Sequence, residues 1–248
     1  MGDRRAGGAT GRLALLGRLI DDEPAVDGSL GVTAGRLERL CTVLARVLPA
    51  SGAGVSVFTE GRIEGGTAAT WGPDSRAIEE LQLSLGEGPC IDAFTSRRPV
   101  LEPDLLGRGI QRWPAYGPAA HAYGVGAVFA LPLQVGGARL GALGIYRAEP
   151  GPLAALTFSQ AITFAEIAVG LLIDGQDADG GTVSGVDDLV AYRAEVYQAQ
   201  GMVMVDLGVT LSEAMARLRG FAYSEGRPLS DVAHDVLAGI LELNRDTL

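Results

Sequence analysis

Residues 125–147 read VGAVFALPLQVGGARLGALGIYR. Two apolar, β-prone runs, VGAVFALPLQV and ARLGALGIYRAE, flank Gly136-Gly137, a turn composition that accepts the backbone of a tight hairpin. The stretch predicts two antiparallel strands. Upstream, GVSVFTE (54–60) and RIEGGTAATW (62–71) predict a second hairpin around Glu60-Gly61. Helical spacing brackets both pairs. Leu37, Leu40, Cys41, Leu44 and Leu48 form a stripe that Pro49 ends, and Ile78, Leu81 and Leu85 form another that ends at Gly86. A Pro- and Gly-rich stretch through residue 118 reads as loops, and Phe158, Ile162, Ala165, Val169 and Leu172 line a closing helix. Helix, hairpin, helix, loops, hairpin, helix is the order of an α+β domain built on an antiparallel sheet flanked by helices.

Outside this block the chain changes character. Residues 1–29 are Gly- and Arg-rich and read as a mobile arm with at most a short helical turn. The sheet domain spans 30–173. Residues 174–186 (DGQDADGGTVSGV) lack apolar periodicity and read as a linker. Residues 187–248 are helical throughout, in three segments. The first runs to about Leu207, before Gly208. The second opens on Thr210-Leu-Ser-Glu213, a capping box, and the third opens at Pro228, acceptable in a first turn. On the first segment Leu189, Tyr192, Val196, Ala199 and Val203 alternate at three- and four-residue spacing, a seam suited to pairing with a second copy. Ala194, Gly201 and Val205 fall opposite, where small residues would admit the other two helices. The arcs Ala214, Leu218, Phe221, Ala222 and Leu229, Val232, Ala233, Val236, Ile240 would bury together as a three-helix bundle.

Charge and composition exclude several functions. All twenty basic residues are arginine, and the net charge of −10 argues against indiscriminate binding of polyanions. Cys41 and Cys90 form no CxxC pair, so neither a zinc cage nor a disulfide framework is indicated, and both read as reduced thiols. The run ITFAEIAVGLLI carries Glu166 and is about half a membrane span, so no membrane association and a cytoplasmic location are expected. No phosphate-binding loop, nucleophile elbow or paired metal ligands appear, and no enzyme activity, metal or cofactor is expected. His121 and His234 lack partners at ligand spacing and read as ordinary surface residues.

Two readings stay open for GEGPC (86–90): its glycines either bring backbone N–H groups to a ligand or simply turn the chain. Cys90, just beyond, is either a redox-sensitive thiol or a small buried residue. A pocket in this domain would have Trp71, Phe94, Trp113, Tyr116, Phe129 and Tyr146 as its available aromatic walls.

GEGPCIDAF (86–94), RPVLEPDL (98–105), the Trp113 loop and residues 125–147 together resemble a GAF domain over about 31–173. That resemblance implies a sensing or dimerisation module with a small-molecule ligand that the sequence does not name. Ala199-x-Gly201-Met-Val-Met, Glu213-Ala214, Leu218-Arg219-x-x-Ala222 and Leu229-x-x-Val232-Ala233 resemble an ANTAR domain over about 187–243. ANTAR domains are three-helix units that dimerise and bind paired hairpins in nascent RNA, preventing terminator formation. The resemblance implies an RNA-binding antitermination regulator, a homodimer, with Arg219 as the main RNA contact and Arg217, Arg193 and Gln200 beside it. Gln200 stands where many relatives have lysine, and Met215 where an aromatic is common. Charge opposes this reading. Five arginines against ten acidic residues give 187–248 a net charge of 5 − 10 = −5, whereas nucleic-acid modules are usually basic. Stacking of RNA loop bases on arginine needs less net charge. The competing expectation is a non-catalytic regulator whose helical bundle docks on a protein partner.

Overall fold

The computed structural model describes residues 3–25, 32–58, 65–178 and 186–243. It contains helices α1 (Asp3–Asp21) and α2 (Val32–Val47), strands β1 (Gly52–Phe58) and β2 (Gly65–Trp71), and helices α3 (Ser75–Leu85) and α4 (Pro89–Ser96). A short strand β3 (Val100–Glu102), a π-helical turn (Leu105–Gly109), the single turn α5 (Ile110–Arg112) and α6 (Tyr116–Ala122) follow. Then come β4 (Ala127–Val135), β5 (Ala138–Arg147), α7 (Ala155–Ala178), α8 (Val186–Leu207), α9 (Leu211–Ser224) and α10 (Leu229–Leu237).

The five strands form one antiparallel sheet in the order β2-β1-β5-β4-β3. The decisive hairpin is β4–β5: Val135 pairs with Ala138 around Gly136, whose φ of +56° is the left-handed conformation that glycine adopts without strain. Alternation along the strands divides the core in two. Ala53, Val55, Phe129, Leu131, Leu133, Leu143 and Ile145 face α1, α2 and α7, whereas Phe58, Val128, Ala130, Ala142 and Tyr146 face α3, α4 and α6.

Four local expectations are corrected. The N-terminal arm holds a nineteen-residue helix, because Leu16 and Ile20 find an apolar seat against α2 and α7, where Arg12 also reaches Ser159. The stretch through residue 118 is mostly short helices. The buried stripe of α7 is Ala161, Phe164, Ala165, Ala168, Leu171 and Leu172, which leaves Ile162 38% exposed. Finally, α7 runs on to Ala178 and α8 begins at Val186, so helix occupies both ends of the expected linker; residues 179–185, like the Glu60-Gly61 turn, lie outside the described residues. By length and composition α7 could cross a membrane. Its apolar stripe is spent on α2 and the sheet, as in the core helix of a globular domain.

The C-terminal bundle has its expected form with α8 turned over. Val196, Ala199, Val203 and Leu207 are buried among Ala214, Leu218, Ala222, Val232, Ala233 and Val236 of α9 and α10. Val205 is 72% exposed, and a Cβ on Gly201 would meet nothing within 4 Å. The described part of the stripe expected to pair with a second copy, Val196, Ala199 and Val203, is therefore consumed within the chain. Short helices need the widest apolar face available, and Gly201 and Val205 do not provide it. Thr210 caps α9 as expected, its hydroxyl accepting from the Glu213 N–H at 3.2 Å. Helix α10 stops at Leu237, and Ile240, expected inside, is 74% exposed beyond the left-handed Gly239.

Candidate functional site

On the α3–α4–α6 side of the sheet sits a buried polar cluster. Ser75, Ile78, Glu79, Gln82 and Leu83 recur at helical spacing along α3, so the face turned to the sheet carries an acid and an amide. Glu79 accepts from the Tyr146 hydroxyl at 2.5 Å and from Ser56 Oγ at 2.8 Å, and Gln82 Nε2 donates to it at 3.3 Å. The Gln82 side-chain oxygen Oε1 in turn accepts from the Cys90 N–H at 2.7 Å. Burial pushes the Glu79 carboxyl above the usual carboxylate range, and the bonds from Tyr146 and Ser56 only partly offset it. The same burial, with Glu79 nearby, raises the Cys90 thiol and the Tyr146 and Tyr116 hydroxyls. The Tyr116 hydroxyl is buried without a hydrogen-bond partner among the described residues.

This geometry settles the GEGPC loop. Gly86 ends α3 at φ +70°, its N–H donating to the Gln82 backbone carbonyl at 2.9 Å. Gly88, at φ +147°, leaves the space that the Gln82 side chain fills. Both glycines serve the chain's own packing. Glu87 accepts from the N–H groups of Ala115 and Tyr116, both at 2.8 Å, and so fixes the start of α6. Trp113 donates to Asp92 at 3.1 Å and lies under the Arg112 guanidinium, which pairs with Asp92 at 2.7 Å.

The sheet separates the expected pocket residues. Cys90, Phe94, Trp113, Tyr116 and Tyr146 share the α3–α4–α6 side, whereas Phe129 points to the opposite face and Trp71 packs there too. Phe129 and Trp71 cannot line the same cavity as Tyr146. Glu79, Gln82 and Ser56 were missed, because the stripe read on α3 was Ile78, Leu81, Leu85. The apolar Ile78 and Leu83 with the polar positions between them would have revealed the buried face.

In the bundle, Arg217 and Arg219 are half-buried. Arg217 pairs with Glu213 at 3.9 Å. The Arg219 guanidinium lies against Gly86: a Cβ there would stand 2.8 Å from Nη1 and 3.3 Å from Cζ. Gln200, expected beside them, is 5% exposed and donates to the Leu211 carbonyl at 2.7 Å, bracing the first turn of α9 from inside. The side chains of Leu189, Tyr192 and Arg193 lie outside the described residues.

The chain is thus a helix-flanked sheet with a closed polar cluster, joined to a three-helix bundle. The GAF domain family model matches residues 35–198, and the chain belongs to that family. The ANTAR domain model matches 188–237, so both models claim the first part of α8. The GAF domain of a phosphoenolpyruvate-protein phosphotransferase from Coxiella burnetii is similar in structure, with a TM-score of 0.54 and 20% identity over 70% of this chain and 97% of that one. The corresponding domain from Acinetobacter gives 0.50 and 12%, over 70% and 98%. At these identities the likeness is one of fold. No curated protein matches the sequence. GAF domains are sensors and ANTAR domains are RNA-binding antitermination modules, so the chain is a regulatory protein.

Proposed function

We propose that this chain is a cytoplasmic, non-catalytic, signal-responsive regulator. It acts as a homodimer that binds hairpins in nascent RNA and promotes transcription antitermination, with the GAF domain sensing a small molecule. The observation that carries the RNA reading is the placement of Arg217 and Arg219 on α9, beside Leu218, which faces the bundle core. Two arginines at the rim of a buried arc present forks that grip phosphate or stack on a loop base. The cluster around Glu79 and the unpartnered Tyr116 hydroxyl support sensing on the α3–α4–α6 side of the sheet.

A mobility-shift assay tests this, with the full chain and an RNA of two short stem-loops at several salt concentrations. Two arginines per protomer contact about four phosphates per dimer, for a log–log salt slope of about −3. Arg219→Ala lowers affinity and flattens the slope by about one to two units in a chain that stays folded. Unchanged affinity and slope, also in a chain whose α9 has been freed from α3, would remove the assignment. They would favour the protein-docking reading, which rests on the bundle's net charge of −5 (five arginines, ten acids).

A further inference from the structure

The two modules touch, and they touch through the arginine just assigned to RNA. Helix α9 packs on α3, α8 packs on β2, and the Arg219 guanidinium occupies the space above Gly86. The Nε atoms of Arg217 and Arg219 are both removed from solvent. A phosphate or base on the Arg219 fork would have to occupy the volume now taken by the Gly86 turn. We propose that α3 and the Gly86 turn form an internal docking surface for the arginine face of α9, and that in this closed arrangement the GAF module withholds Arg219 from RNA. The inference rests on the RNA reading above.

The contact is built to separate. Between α3, α6 and the α9–α10 corner lies a cavity of about 390 Å³, lined in part by Ala77, Glu80, Ser84, Tyr123, Ala222 and Tyr223. An unfilled junction forfeits the dispersion contacts that a close-packed one would gain. Glu80 of α3 lines the same junction, where burial chiefly raises its carboxyl, Arg76 lowers it, and Asp231 of α10, a like charge from the other module, raises it by less. A ligand that binds the open and closed arrangements unequally shifts the balance between them, and only such a ligand does.

Ser84→Glu in the full chain tests the proposal, because it adds a third acid to the junction and the new charge by itself weakens RNA binding. Any gain in affinity therefore reports release of Arg219. Amide exchange on α3 and α9 reports the opening, and the two-stem-loop RNA reports binding. Ser84→Trp repeats the test by bulk alone, should the added acid disturb folding. The expected result is faster exchange on both helices and a gain in RNA affinity of about fivefold or more. Faster exchange with unchanged or weaker RNA binding overturns the occlusion and leaves the RNA reading standing. Exchange unchanged in both variants overturns the docked junction. No RNA binding by the wild-type chain or by opened variants overturns the RNA reading itself, and the occlusion with it.

Discussion

Gly54 and Gly144 face each other across the β1–β5 ladder, and the carboxyl of Glu79 occupies the space that a side chain on either would need. The sheet has a slot two residues wide, made by omitting side chains, and α3 fills it with an acid. Tyr146 and Ser56, on the same two strands, supply donors at the slot's edges. Sheet, helix and cluster are thus specified together.

Gly144→Ala sets a methyl 2.6 Å from Glu79 Oε1 and 2.9 Å from the Tyr146 hydroxyl, too close for either to remain. The variant should lose about 2 kcal/mol in urea unfolding, the usual cost of overpacking. In the double variant Glu79→Ala/Gly144→Ala the loss should be smaller than the sum of the two single losses. Strict additivity would mean that the two residues do not compete for one space.

Glu79 gives stability a definite dependence on pH. Its carboxyl binds a proton more tightly folded than unfolded, so the folded state holds more protons between the two pKa values. Its contribution is fully present below the unfolded value of about 4.3 and is lost as pH rises through the folded value. Glu79→Gln removes the titration, and unfolding free energy should fall less with rising pH in the variant. Parallel curves for the two proteins would show that folding leaves the affinity of Glu79 for its proton unchanged.

Both cysteines are buried, and burial raises both thiols, so neither offers a thiolate at neutral pH. A maleimide or an aromatic disulfide reagent should label neither Cys41 nor Cys90 in the native chain within minutes, and both after denaturation. Rapid native labelling of Cys90 would restore the redox-sensor reading that its burial now disfavours.

Val203 and Val205 lie two residues apart on α8 with opposite environments, 2% and 72% exposed. Val203→Glu buries a charge in the bundle core and should cost about 3 kcal/mol or more, melting the C-terminal helices in far-UV circular dichroism. Val205→Glu should stay within about 0.5 kcal/mol of the parent. Sedimentation of Val205→Glu also shows whether the outward face of α8 holds two copies together.

The antiparallel sheet was legible because strand alternation and Gly136-Gly137 act locally, and neighbouring residues carry the whole signal. The three-helix bundle was legible in outline for the same reason. What escaped depends on distant partners. Val196, Ala199 and Val203 form a correct apolar stripe, yet periodicity does not say whether it meets another chain or the chain's own α9 and α10. Leu16 and Ile20 are too few to announce a helix until α2 and α7 receive them. Phe129 and Tyr146 are both aromatic strand residues, and only the register Val128↔Tyr146, Phe129↔Ile145 shows that they point to opposite faces. Glu79 was overlooked because an acid at a buried position runs against the ordinary rule for charged residues.

Strand β2 is an outer strand of the sheet, bonded among the described residues to β1 alone, and α8 of the output module is packed against it. Outer strands present unpaired N–H and C=O groups that can recruit a strand from another molecule. Any movement that lifts α8 from β2 removes a neighbour from an outer strand open to such recruitment. An open form would carry a solubility hazard that a closed one avoids, and the time a molecule can safely spend open falls as its concentration in the cell rises.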